Sequence, residues 1–352
     1  MSTIDQTQFT STAVELYQSS YIDRFMRFIQ RLRAPYWIVY LVFFFAQALI
    51  NHIVSWLEGW VPLFTFDRIL LLYPVWLWIP LIIMTFLNHT SLSAIQNFRP
   101  LLDLDDEALA RLKAEFTTMP PRGVIATSLF WSVSALAVTL IYHEAYTAYG
   151  FGPISKWLGI LQGLVSFSIG GVMYFHSLRQ LLLIHRTVKT VKRVNLFALD
   201  PVYAFSRLTS RTGISWMVML VLNFLLFPFT LAPGVMLTFG MVILIFALAA
   251  FVLPLRVVNQ KLVLEKRSRL AEHQRRVENI LARLHRQLDT GETADLDQYE
   301  KGIASLTAER KILDDIPTWP WRGATLTGFL SALIVPVFLM LIQFAIERWF
   351  SR

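Results

Sequence analysis

Seven runs of mostly apolar residues divide this chain, each close to the 20 or so residues that a helix needs to cross a bilayer. They occupy 36–57, 69–88, 124–142, 157–184, 214–231, 235–254 and 325–346. A soluble fold could not bury so much: 55% of the 352 residues are hydrophobic, 16% are charged, and mean hydropathy is +0.51. In hydrocarbon each backbone N–H and C=O must be satisfied within the structure, and no strand pattern occurs, so the spans read as α-helices. The fold class expected is therefore an all-α integral membrane protein with seven transmembrane helices, multi-pass in a cell membrane. An odd number of crossings puts the two termini on opposite sides.

Charge placement says which side is which. Of the 32 Lys and Arg, all but Arg68, Lys156, Arg348 and Arg352 fall in segments on one face of that topology. Positive residues stay on the cytoplasmic side, so the amino terminus reads as cytoplasmic and the carboxyl terminus as outside. The net charge of +8 is then a topology signal and a contact for anionic lipid. The bilayer is an expected partner and nucleic acid is not. Within the cytoplasmic segment 1–35, Tyr21, Phe25, Phe28 and Leu32 repeat at helical spacing opposite Arg24, Arg27, Arg31 and Arg33. That is the pattern of an amphipathic helix lying on a membrane surface.

Residues 36–254 form the six-span domain, with Pro74 and Pro80 expected to kink the second span. Two helices of the inner face interrupt it. One lies near 103–116, with Asp103 or Asp105 as its cap and Pro120-Pro121 as its stop. The other lies near 201–209, opened by Asp200 and Pro201 and closed by Gly213. Residues 255–316 read as a cytoplasmic antiparallel hairpin of coiled-coil type. Its first helix carries Val263, Leu270, Val277, Leu281, Leu284 and Leu288 at heptad spacing, interrupted by Arg267 and Gln274. Its second carries Leu296, Tyr299, Ile303, Leu306 and Leu313. Residues 317–352 supply a linker, expected to be extended, and the seventh span.

Catalytic patterns do not emerge. The chain has no cysteine, so thiolate chemistry and disulfides are excluded. The seven histidines are scattered, and no HExxH, GxSxG or phosphate-binding glycine loop occurs. Ionisable groups are nearly missing from the spans, which argues against pumps and coupled carriers. No enzyme, metal site or cofactor is expected. Two stripes of small residues do occur: Gly159, Gly163, Ser166 and Gly170 on span four, and Ser128, Ser132, Ala135 and Thr139 on span three. They suit close helix packing, inside one chain or between subunits.

On the last span, Ala332, Pro336, Met340, Gln343 and Glu347 share one helix face. If that face lined a four-fold axis, Glu347 would form a carboxylate ring favouring cations. The alternative is that Gln343 bonds a neighbouring helix while Glu347 is a solvated end residue beside Arg348. Tyr73, Trp76, Tyr142 and Gln162 fall in the outer leaflet, either lining a ligand pocket or packing ordinarily.

Seven spans, a cytoplasmic amino terminus and a cytoplasmic bundle built from spans four to seven resemble the insect odorant- and gustatory-receptor type of seven-transmembrane ion channel. Gustatory receptors end their last span with Thr-Tyr, five apolar residues, then Gln-Phe. Here Pro336-Val337 precede Phe338-Leu339-Met340-Leu341-Ile342 and then Gln343-Phe344, so the second half matches and the first does not. The resemblance implies a homotetramer whose last span lines a cation pathway, anchored through 176–213 and 255–316, with ligands held between spans. The function expected is a receptor-like, ligand-gated cation channel. The alternative is a membrane sensor or scaffold that relays a signal through the hairpin to a cytoplasmic partner protein.

Overall fold

The computed structural model describes residues 18–141, 152–191, 194–226, 233–290 and 296–350, and every regular element among them is helical. In chain order these are α1 (Tyr21–Gln30), α2 (Tyr36–Leu57), α3 (Leu72–Phe98), α4 (Asp106–Thr117) and α5 (Pro121–Ile141). They are followed by α6 (Pro153–Thr190), α7 (Ala204–Leu226), α8 (Pro233–Val252), α9 (Arg256–Thr290), α10 (Leu296–Asp315) and α11 (Gly323–Phe350). Six helices, α2, α3, α5, α6, α7 and α8, are long and apolar enough to cross a bilayer, as a multi-pass membrane protein requires. In α11 the described apolar stretch is Gly323–Leu339, which is shorter.

Local chemistry sets the helix ends. Ser20 and Asp23 form a reciprocal capping box at the start of α1. Asp105 caps α4 by accepting from the Ala108 amide at 2.7 Å. Pro121 and Pro153 occupy first helical positions, where no amide hydrogen is needed. At the end of α2, the Glu58 carboxylate reaches the amino terminus of α6 and accepts from the Ile154 and Ser155 amides at 2.6 and 2.9 Å. Those amides have no partner inside their own helix. Burial alone would raise the Glu58 pKa; the bonds from Ser155 and Ile154 outweigh it and hold the carboxyl below its ordinary value.

Helix α3 lies at the centre, packed on α2, α6 and α7; α6 carries α5 on its other side, and α7 carries α8 and α11. Burial is greatest in α7, with 67% of its apolar window inside the molecule, and least in α5, with 12%. The small residues of α6 are the slots that permit this packing. A β-carbon on Gly170 would stand 2.6 Å from the Trp76 ring of α3, and one on Gly171 would stand 2.0 Å from the Trp131 indole of α5.

Two stretches differ from the sequence reading. Helix α3 runs ten residues beyond 88, because Ala94, Ile95 and Phe98 continue its buried face and Phe98 meets Phe205 at 4.5 Å. No separate helix ends near 209: residues 201–203 are turn, and α7 passes straight through Gly213 to Leu226. Glycine weakens a helix, yet here it makes room, since a β-carbon would meet the Phe329 ring at 2.5 Å and the Ala247 carbonyl at 3.2 Å. Of the two prolines in α3, Pro80 is inside the helix and Pro74 lies in its first turn, where proline is tolerated.

Candidate functional site

The junction where the bundle hands over to α9 and α10 brings together the most specific polar contacts. A short turn, Leu253–Leu255, links α8 to α9, and Leu255, Val258 and Leu262 are buried against the bundle. Lys261 sits among them. Its ammonium donates to the carbonyls of Val188 and Lys189, both at 3.0 Å, and to that of Val191. Val188 and Lys189 lie in the last turn of α6 and Val191 just past it, at the negative end of the helix dipole; the Val188 carbonyl also accepts from the Val191 amide at 3.3 Å. Burial pushes the Lys261 pKa down, so the contact holds a charge that the site otherwise disfavours.

Five residues later, Lys266 does the same for α10, donating to Asp314 O at 2.7 Å and Ile316 O at 2.9 Å. Asn259 donates to Thr318 O at 3.0 Å. The linker expected to be extended is instead folded down. Trp319 stacks on Trp321 at 4.5 Å, Trp321 on Phe251 at 5.1 Å, and Arg322 pairs with Asp200. One helix, α9, thus grips the bundle, the linker and α10.

Helices α9 and α10 lie antiparallel: Lys266 meets residues 314–316, His273 meets Leu306, and Ile280 meets Gly302. Leu270, Val277 and Leu284 face the seam as the heptads predict. The alternate seam positions are Lys266, His273, Ile280 and Gln287 rather than Arg267, Gln274, Leu281 and Leu288, because the seam steps by four and three rather than three and four. His273 is 4% exposed, with Nε2 2.8 Å from the Leu306 carbonyl, while Leu264, Leu281 and Leu288 are exposed. In α10, Tyr299, Ile303, Leu306 and Leu313 face the seam.

Helix α11 packs principally on α7, with Phe329 also stacked on Phe251 of α8 at 4.1 Å. Pro336 is buried and Ala332 half-buried, so this face is turned toward the chain's own bundle. Met340, Gln343 and Glu347 follow in the same helical phase, but their side chains lie outside the described residues. The opposite flank of α11 is apolar and exposed, at Ile334, Val335, Phe338 and Leu341.

The four residues expected in the outer leaflet have different surroundings. Tyr142 lies outside the described residues. Tyr73 rests against Gly159 and Gly163, at 3.7 and 3.3 Å from where their β-carbons would stand. Trp76 is buried, stacked on Phe167 at 5.4 Å, with Nε1 donating to Asn223 Oδ1 at 3.3 Å. Gln162 exchanges two hydrogen bonds with Asn51, at 2.7 and 3.1 Å. Tyr73 and Gln162 therefore adjoin, and the groups of these three residues are taken up by neighbouring helices.

At the other end of α3, the His176 Nε2–H donates to Asn88 Oδ1 at 2.7 Å. Gln180 donates to the same oxygen at 3.1 Å and to the Phe116 carbonyl at 2.9 Å, and Arg179 donates to the Thr118 carbonyl at 2.7 Å. This knot ties α3 and α6 to the last turn of α4 and the residue after it. Sequence reading missed it, although His176 and Gln180 at a spacing of four in an apolar span were a visible signal. Lys261 was missed too; its signal was a lysine set among Leu255, Val258 and Leu262.

No protein family, curated protein or solved structure matches this chain.

Proposed function

We propose that the chain is a seven-span membrane sensor or scaffold, with its amino terminus cytoplasmic and its carboxyl terminus outside, that relays the state of its bundle through a cytoplasmic α9–α10 hairpin to a partner protein. The Lys261 clasp carries this reading. It fastens the stem of the hairpin to the carbonyl end of α6, the helix on which α3 and α5 also pack. Displacement of α6 along its axis therefore acts on α9 directly, without passing through a flexible loop. The reading is tested by deleting residues 263–313 and cross-linking in the native membrane. The deleted chain should still insert and lose its cytoplasmic cross-linked partner; recovery of the same partner by both forms refutes the relay.

The edge position of α11 favours a second reading, in which the chain is a cation channel. Its exposed apolar flank suits association of copies, a homotetramer being the resemblance's expectation. Ala332, Pro336, Met340, Gln343 and Glu347 would reach a shared cation pathway only if α11 turned away from α7. Flux through reconstituted protein, with selectivity altered in Glu347→Gln, supports this second reading. Absence of flux, or selectivity unchanged by that variant, removes it.

A further inference from the structure

We propose that α1 is a ledge for anionic phospholipid in the leaflet on the α9 side of the bundle. The helix presents three distinct faces. Ile22, Met26 and Ile29 are 1%, 3% and 1% exposed and dock it on the bundle. Asp23 fixes its rotation: the carboxylate accepts from the Ser20 amide at 3.0 Å, the Ser20 hydroxyl at 2.8 Å and the Met119 amide at 3.0 Å. With that rotation set, the aromatic stripe cannot turn inward. Tyr21, Phe25, Phe28 and Leu32 emerge roughly a quarter-turn away from the docked face, 48%, 37%, 59% and 41% exposed. Arg24, Arg27 and Arg31 follow roughly another quarter-turn on, with Arg33 just beyond the helix.

The aromatic stripe is continuous with the lipid-facing flanks. Tyr21 Oη lies 2.6 Å from Ser128 Oγ on α5, beside the exposed Ile125 and Leu129. Phe25 meets Tyr40 of α2 at 6.5 Å, one turn from the exposed Trp37. An apolar stripe alone would suit any lipid. The arginines select: among the described residues none of the four sits in an ion pair, and guanidinium groups set beside an interfacial aromatic row fit phosphate-bearing acidic headgroups. Each arginine held at such a surface is worth roughly a factor of five in partitioning, so removing three costs about a hundredfold.

Two measurements on the full chain test this. Because the chain has no cysteine, Phe28→Cys gives a single site for a spin label. In nanodiscs, which expose both leaflets, the label should be open to oxygen and shielded from a water-soluble nickel chelate. A label as open to nickel as one in water overturns the ledge. The protein is also equilibrated with equal amounts of phosphatidylglycerol and phosphatidylcholine, and the retained lipids are counted by native mass spectrometry. Preference for phosphatidylglycerol should fall steeply in the Arg24→Gln, Arg27→Gln, Arg31→Gln variant and persist in the matching Lys variant. An unchanged preference in the Gln variant, or its loss in the Lys variant, overturns the anionic assignment.

Discussion

Replacing Lys261 by Met keeps the stem that runs past Phe98, Leu101 and Val258 and removes only the ammonium. Three carbonyls then lose the ammonium, and of these Val188 keeps the Val191 amide at 3.3 Å. A hydrogen bond from a charged group is worth about 1.5–3 kcal/mol and a cation at a helix carboxyl end about 0.3–1 kcal/mol. Water can reach the Lys189 carbonyl, which is on the exposed side, and recovers part of that. A net cost of about 2–3 kcal/mol is expected, concentrated at the α6–α9 contact. At about 1.4 kcal/mol per tenfold, the closed-to-open ratio of that contact falls between one and a half and two factors of ten. Spin labels at Arg186→Cys and Ser268→Cys, both exposed, report it as a distance distribution by pulsed electron resonance. Wild type should give one narrow distance, and Lys261→Met a second, longer population. Lys261→Arg should fall between them, because a planar fork cannot converge on three carbonyls around one nitrogen. An unchanged narrow distance in Lys261→Met refutes the clasp and weakens the relay built on it.

Other outcomes follow from packing and titration. Gly171→Ala should cost about 1–3 kcal/mol by overpacking, since its new methyl meets the root of the Trp131 ring. Gly123→Ala should cost less, because it meets only the far tip of Phe175; equal loss of melting temperature in both would contradict the geometry. In a Trp131→Ala background the cost of Gly171→Ala should vanish, and a cost that persists unchanged would show that the ring is not the obstacle. Burial, outweighing its bonds from Ser20 and Met119, raises the Asp23 pKa above the ordinary 3.8. That carboxyl therefore favours folding most at low pH and progressively less as pH rises through its folded pKa. Melting of Asp23→Asn should gain on wild type between pH 4 and pH 7, and a constant gap would exclude the burial effect. Glu58 carries the opposite sign: its stabilisation stands above the ordinary 4.5 and is lost as pH falls through its lowered value. Glu58→Gln should therefore lie below wild type at pH 7 and converge with it in acid; a gap that widens in acid is inconsistent with the cap.

How much of this could be read beforehand depended on which residues advertise themselves. The limits of α2 coincide with the apolar run 36–57, because Pro35 stands before it and Glu58-Gly59 behind it. Of the two cap candidates Asp105 is the one used, and of the heptad set Leu270, Val277 and Leu284 face the seam. The remaining seam was hidden because Lys266, His273 and Gln287 occupy inward positions, while Leu281 and Leu288 mark a line that faces out. Tertiary pairing, not periodicity, decided that register. On α11 the periodicity grouped Ala332 with Pro336, yet no pattern within one helix says whether its face meets a sister helix or an axis. The slots for Tyr73 and Trp76 were legible as small residues on α6, but which rings would fill them was not. Lys261 was invisible for a different reason: in a stretch rich in basic residues, one lysine turned inward looks like its neighbours.

The adjacent glycines of α6 have a mechanical consequence. Trp76 from one side and Trp131 from the other are keyed into consecutive residues of a single helix. Neither α3 nor α5 can slide along α6 without drawing an indole out of a slot that no side chain could otherwise share. These three helices must therefore travel as one block. Helix α7 is joined to that block by hydrogen bonds, Trp76 Nε1 to Asn223 Oδ1 at 3.3 Å and Trp216 Nε1 to Ser177 Oγ at 3.1 Å, rather than by a ring set in a glycine slot. Any stroke within the bundle is then a slip of α7, α8 and α11 past a keyed block, and α9 is attached to both sides of that slip plane.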